Sequence, residues 1–305
     1  MEVLQWYITV DLKEGERKRQ ELKELGLLDN TLRPRNHGGR LLIPVDREIA
    51  GAERGHFEQV PRRVKLPRHE QVGGLAIIQE YNEENAGIIL RSNPSTHTVL
   101  VPEGAVEGEF RTRRFRVAAG EPTTSTRCLE YGIRMDIDLS VAYFSPRLAN
   151  ERQRIASMME TGEEVLDMFT GVGPFALSLS GKANVVWASD LNPGAVSLMI
   201  KNIRMNRIRN IIPVVADAGR LHRIFDPGSF DRIIMNLPMG PLPFLESAFE
   251  LCRAGGTIHM YALQESEGAM LPHIEQFPYK NISEREVRSY SPALHHAVYD
   301  ITLKG

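Results

Sequence analysis

The second half of the chain restricts the fold most, because strand-like and helix-like segments alternate there in a regular order. EEVLDMF (163–169) leads through TGVGPF into helical FALSLS; NVVWASD, helical PGAVSLMIKNIRMN and strand-like IIPVVAD follow. DRIIMNLP then reads as a strand, PFLESAFELC as a helix and GGTIHMYAL as a strand. Alternation at this spacing predicts a parallel sheet covered on both faces by right-handed crossovers. The tail breaks the pattern: EREVRSYS and LHHAVYDITL are separated by only a few residues and are expected to pair as an antiparallel hairpin.

Smaller modules precede this domain. VLQWYITV, GERKRQELKELG and GGRLLIPV read strand, helix, strand, a small α/β module over 1–60. A proline-punctuated basic stretch, PRRVKLPRH (61–69), reads as a linker, and LAIIQEY, AGIIL, HTVLVPE, FRVAAG and IRMDIDL suggest a middle α/β domain over 61–150. The regular domain then occupies 151–305. At 305 residues, with 42% hydrophobic and 25% charged, the chain has the composition of a soluble globular protein, and no apolar run reaches the length of a membrane helix. An intracellular protein is expected, since the N-terminus turns polar where a signal peptide stays apolar. Cys128 and Cys252 lie far apart without ligand spacing, so neither a disulfide framework nor a metal site is indicated. A net charge of −2 argues against a protein that coats nucleic acid non-specifically, although PRRVKLPRH, FRTRRFR (110–116) and KNIRMNRIRN (201–210) leave room for a local basic track.

Where the first strand of the regular domain meets its helix stands Asp167-Met-Phe-Thr-Gly171-Val-Gly173-Pro-Phe-Ala176. Glycines there let the backbone turn sharply and approach a ligand, with helix N–H groups pointing into the crevice. Asp190, nineteen residues past Gly171, is placed for ribose hydroxyls. Proline after the second glycine removes a donor that a pyrophosphate would use, which favours S-adenosyl-L-methionine over NAD. Asp167 suits a ligand carrying an ammonium group and a sulfonium, and Asp217, ending the third strand, could accept from the adenine amino group. Taken singly, each aspartate could equally be a cap or turn residue. Asn236-Leu-Pro238 closes the fourth strand beside the crevice, where some base-modifying methyltransferases carry Asn-Pro-Pro-aromatic to hold a planar nitrogen. The layout as a whole is that expected of a class I (Rossmann-like) S-adenosylmethionine methyltransferase domain.

VAYFSPRLANERQRI (141–155) sets one carboxylate, Glu151, among Arg147, Arg152 and Arg154. On its own this could be a solvated helix face with i, i+4 pairing. Together with GEFRTR (108–113), DMFTGVGPF (167–175), DLNP (190–193), IIMNLP (233–238), GGTIHMY (255–261) and RSYSP (288–292), however, it resembles the tRNA guanosine-37 N1-methyltransferases of archaea and eukaryotes. The likeness covers nearly the whole chain, and Thr170 stands where that family usually has alanine.

The resemblance implies methyl transfer from S-adenosylmethionine to N1 of guanosine 37, with Glu151 as general base, Arg111 stabilising charge on O6 and Asn236 orienting the guanine edge. It implies cofactor contacts at Tyr143, Asp167, Phe169, Gly171, Gly173, Asp190, Leu191, Asn192, Asp217, Ala218, Asn236 and Pro238. Substrate contacts are implied at Arg111, Arg113, Tyr143, Arg147 and Pro238, and the arginines around Glu151 are expected to anchor the loop and the RNA backbone. Stacking and exclusion of water are expected to offset the effect of those cations on the base. A cytoplasmic monomer is expected, contacting the tRNA anticodon loop and, through the N-terminal module, its elbow, with neither membrane nor DNA as partner. A sister family in wyosine synthesis, which transfers the aminocarboxypropyl group or methylates a tricyclic precursor, is the alternative transferase. An NAD-dependent oxidoreductase would share the glycine turn but lacks a hydride-transfer constellation here, and a non-catalytic RNA-binding module would leave the DMF, DLNP and NLP set without a use.

Overall fold

The computed structural model describes residues 2–60, 66–107, 112–291 and 293–305. The chain forms two compact units, Met1–Lys65 and Leu66–Gly305. In the first, β1 (Glu2–Asp11), β2 (Arg35–His37), β3 (Arg40–Val45) and β4 (Glu53–Glu58) make an antiparallel sheet ordered β2-β3-β1-β4. Period-two alternation sends Ile43 and Val45 to one face, where they bury Leu22 of α1 (Gly15–Glu24), and Leu42 to the other with Leu32 and Phe57. Gly26 ends α1 at φ +65°, donating to the Lys23 carbonyl while Leu27 donates to that of Leu22. The expected strand, helix and strand are present; β2 and β4 are too polar to announce themselves.

The second unit opens with β5 (Glu70–Val72), β6 (Leu75–Ile77), α2 (Glu83–Ser92), β7 (Thr98–Glu107) and β8 (Thr112–Gly120), the strands ordered β5-β6-β7-β8. Ala86 and Ile89 of α2 pack on Ala76, Val99 and Val101. One short helix covers one face only. Val72, Leu75 and Leu100, on the other, join Met135 and Ile137 of the hairpin β9 (Ser125–Glu130)–β10 (Ile133–Asp138) and a core that continues to Phe175 and Val186. The middle segment thus shares its core with the regular domain, and residue 150 falls inside helix α3 (Ala149–Met158).

The main sheet comprises β11 (Glu163–Asp167), β12 (Ala183–Asp190), β13 (Ile211–Val215), β14 (Phe230–Met235), β15 (Cys252–Gln264), β16 (Tyr279–Ser289) and β17 (His295–Leu303), ordered β13-β12-β11-β14-β15-β17-β16. β11 to β15 run parallel; β17 is antiparallel to both its neighbours, so the expected tail hairpin is present and its second strand joins the sheet. α3, α4 (Pro174–Leu179) and α5 (Pro193–Met205) cover one face, and α6 (Leu245–Leu251) the other.

Side chains of α5 hold β10 from outside any sheet. Buried Asn202 accepts from the Asp136 N–H at 2.7 Å and donates to the carbonyls of Asp136 and Val172 at 3.1 Å each. Asn206 repeats the exchange with Arg134 at 2.9 and 2.6 Å, and Lys201 pairs with Asp136 at 2.7 Å. Of the basic segment 201–210, Lys201 is thus engaged in holding β10, while Arg204, Arg207 and Arg209 are exposed.

Candidate active site

The crevice lies at the carboxyl ends of β11, β12, β13 and β14, where open α/β sheets bind ligands. Between β11 and α4 the chain turns through Gly171 at φ +57° and Gly173 at φ +92°, and Pro174 starts the helix. A Cβ at Gly173 would stand 2.9 Å from Met199 Cγ, so only glycine fits. The Gly171 N–H donates to Asp190 Oδ2 at 2.7 Å, and the Asn192 N–H to Oδ1 at 2.9 Å. Burial raises the pKa of Asp190. Thr170, the departure from the family pattern, points inward to Met199 Sδ at 3.7 Å.

Asp167 is buried with no hydrogen-bond partner on either oxygen among the described residues. Burial pushes its carboxyl up to about 7. Thr170 and the Phe169 and Ala176 N–H groups lie near enough to favour the ionised form but do not offset burial, and a cation brought by a ligand would. Phe169 meets Phe244 edge to face at 5.0 Å, and Leu191 and Tyr143 are exposed beside the turn, the Tyr143 carbonyl 3.7 Å from where a Gly171 Cβ would stand. Asn192 caps α5 and donates to the Val141 carbonyl at 2.7 Å, which ties the 139–148 loop to the crevice. Asp217 caps the short turn beginning at buried Ala218. One residue past β14, the Oδ1 of Asn236 is buried without a partner among the described residues, and the Pro238 carbonyl accepts from the Leu263 N–H at 2.9 Å. Together these residues suit S-adenosylmethionine: an unpaired anion for its cationic part, a glycine turn for close approach and apolar side chains beside the nucleoside. Among the described residues no cluster of His, Cys, Asp or Glu could hold a metal ion, and no helix is long and apolar enough to cross a membrane.

Glu151 is only 4% exposed, so the solvated-face reading fails. Its carboxylate accepts from Arg154 at 2.7, 3.0 and 3.1 Å, from the Tyr261 hydroxyl at 2.9 Å and from Arg285. Arg154 is in turn clamped to Asp300 at 2.6 and 3.0 Å, and Asp300 meets His259 Nδ1 at 2.6 Å. Burial works to raise the Glu151 pKa, but the Arg154 hydrogen bonds, the Arg154 and Arg285 charges and the Tyr261 hydroxyl outweigh it and hold the group below its ordinary value. In the free protein the cations therefore prevail over burial.

The neighbouring arginines also differ from their expected roles. Arg152 is buried and bidentate to Glu130 at 2.6 Å for each bond; it anchors the loop by donating to the Ser145 carbonyl at 3.3 Å, but it cannot reach an RNA backbone. Arg154 is spent on Glu151 and Asp300. Arg147 pairs with Glu70 at 3.0 Å instead of Glu151 and keeps an exposed head. Arg113 lies on β8 with its Nε buried and, among the described residues, unpartnered. Arg111, with the rest of 108–111, lies outside the described residues, as do 61–65 and Pro292. Tyr261, Arg285 and Asp300 were not singled out from sequence, because each meets α3 only after more than a hundred residues of intervening chain.

A profile of the TRM5/TYW2 methyltransferase domain matches residues 126–286, and one of the tRNA methyltransferase 5 N-terminal domain matches 8–53. The tRNA (guanine(37)-N(1))-methyltransferase Trm5b of Pyrococcus abyssi is 35% identical over 326 residues, covering 96% of this chain and 97% of that protein. The crystal structure of wild-type Trm5b from the same organism matches with a TM-score of 0.80 at 34% identity, covering 99% of this chain and all of that one. The complex of aTrm5 with tRNALeu matches at 0.78 with 28% identity, covering 98% and 99%. On the domain match and the likeness along nearly the whole chain, the chain belongs to the TRM5/TYW2 methyltransferase family.

Proposed function

We propose that this chain methylates N1 of guanosine 37 of tRNA, with S-adenosyl-L-methionine as methyl donor and Glu151 as general base. The observation that carries this reading is the Glu151 carboxylate itself, buried, ionised and held by Arg154 and Tyr261. The name of the Pyrococcus relative and the tRNA in the aTrm5 complex support the substrate.

S-adenosylmethionine supplies an electrophilic methyl group on a positively charged sulfur, which keeps the bonding electrons when the methyl leaves. Asp167, Gly171, Gly173, Asp190, Leu191, Asp217, Ala218 and Phe169 would hold it. Guanine N1 carries a proton at neutral pH and its lone pair is delocalised into the ring carbonyl, so attack requires that proton to be taken as the new bond forms. Glu151 takes it, and charge developing on O6 needs a fixed cation, the role assigned to Arg111. Asn236, with an unsatisfied buried oxygen beside the crevice, orients the guanine edge, and the backbone at Pro238 closes the site. N1 is inaccessible in a stacked anticodon loop, so the base is extruded at a cost of a few kcal/mol. Tyr143, 60% exposed, offers a stacking surface. Arg147 and Arg113 serve the RNA strand, the N-terminal unit serves the elbow, and the enzyme works as a cytoplasmic monomer.

The test is transfer of tritiated methyl from S-adenosylmethionine to unmodified transcripts carrying G or A at position 37, followed by nucleoside mass spectrometry. N1-methylguanosine only with G is the expected product; an aminocarboxypropyl adduct would assign the chain to the sister reaction. Glu151→Gln should lower the single-turnover rate by ~10²–10⁴-fold with tRNA affinity kept. Equal turnover would remove Glu151 as the base.

A further inference from the structure

All four lone-pair positions of the Glu151 carboxylate are in use. Four donors face it: Oε1 accepts from the Tyr261 hydroxyl and Arg154 Nη2, Oε2 accepts from Arg285, and the Arg154 Nε–H is shared between the two oxygens. A base in that condition has nowhere to receive a proton, so one partner has to leave before chemistry. Tyr261 is fully buried in β15. Arg154 is fixed on its far edge by Asp300, which is itself bonded to His259. Arg285 differs on each count: its side chain is 44% exposed, it projects from the edge strand β16, and among the described residues its guanidinium bonds to nothing but Glu151.

We propose that Arg285 is a displaceable cap on Glu151, covering the carboxylate in the free protein and swinging off when the guanine enters. The inference rests on Glu151 being the base. Displacement frees one lone pair at Oε2 and removes one of two adjacent cations, so the carboxylate becomes a stronger base at the moment its substrate arrives. Before that, it stays ionised and shielded. The remaining groups facing the carboxylate are Arg154 from α3, Tyr261 from β15, Asp300 and His296 from β17, and Arg288 from β16, beside His296. Burial and the Arg288 charge bring His296 down to about 4, so it is neutral at assay pH. Asp300 stays ionised because His259 and Arg154 outweigh its burial.

The test follows pH dependence with an unmodified G37 transcript in the wild type, Arg285→Ala, Arg285→Lys and Glu151→Gln. kcat/KM reports the free enzyme and the single-turnover rate at saturating tRNA reports the complex. A displaceable cap moves the acid limb of kcat/KM toward higher pH in Arg285→Ala and leaves the single-turnover limb unmoved, with Arg285→Lys lying between Ala and the wild type. A merely structural role would move neither limb. If both limbs shift together, Arg285 stays on the base during reaction and the cap is refuted. If neither shifts while Glu151→Gln remains inactive, the base stands and Arg285 has no part in it. A fully active Glu151→Gln overturns both. Melting temperatures of the two Arg285 variants, and the charge kept by lysine, separate these outcomes from loss of fold.

Discussion

Replacing Arg152 by methionine isolates the energy of one buried ion pair. The guanidinium, 1% exposed, makes two 2.6 Å hydrogen bonds to Glu130 of β9 and stands over the rings of Phe144 and Phe175 at 5.7 and 5.8 Å. Methionine keeps most of the bulk but strands Glu130, itself buried, and takes the donor from the Ser145 carbonyl. Breaking a buried pair in this way costs about 3–5 kcal/mol, chiefly because one charge is left uncompensated. At about 2–4 °C per kcal/mol for a unit of this size, the melting temperature should fall by about 6–20 °C. Urea denaturation followed by circular dichroism supplies the free energy, and Glu130→Leu with Arg152→Met closes the cycle. The double variant should return to within about 1 kcal/mol of the parent, since no buried charge remains unpaired. A single-variant loss below about 1 kcal/mol, or a double variant as unstable as the sum of the singles, would refute the reasoning.

Two further outcomes concern the crevice. Asp167 titrates at about 7 when folded because of burial, against about 3.9 unfolded, so the folded state holds the extra proton and stability falls as pH rises through that window. Asp167→Asn should flatten that fall in the ligand-free protein and abolish the proton released when S-adenosylmethionine binds below pH ~7, both read by calorimetry; an unchanged slope would contradict the assignment. Gly173→Ala should cost about 1–3 kcal/mol and weaken cofactor binding, because φ is +92° and Met199 blocks the Cβ, whereas Gly181→Ala, with nothing within 4 Å, should be nearly neutral.

The parallel sheet was legible because its strands announce themselves as apolar runs separated by helical periods, and the glycine turn because its spacing is local. The edges were harder to read. Among the described residues β9 and β10 pair only with each other, and β10 depends on Asn202 and Asn206, whose amides substitute for a neighbouring strand and carry no hydrophobic signal. At the site, Asp167 and Gly173 could be placed from their positions at a strand end. The surroundings of Glu151 could not, because the Arg154–Asp300 contact spans 146 residues and Arg285 sits in a strand where alternate charges look like an ordinary wet face. Long-range pairing of that kind depends on strand order, and the exchange of β16 and β17 is set by how the tail folds back.

That exchange bears on how the protein is made. β17, synthesised after β16, lies between it and β15, and its residues Val298, Tyr299 and Ile301 are fully buried. Domains emerge from the ribosome at about 5–20 residues per second, N-terminal parts first. Until β17 arrives, β15 presents an open edge, β16 has no neighbour in the sheet, and Arg154 lacks the Asp300 that steadies it against Glu151. The nascent chain therefore carries its glycine turn well before the contacts around Glu151 can be completed, and the unpaired edge of β15 is the surface a chaperone would have to guard in the interval.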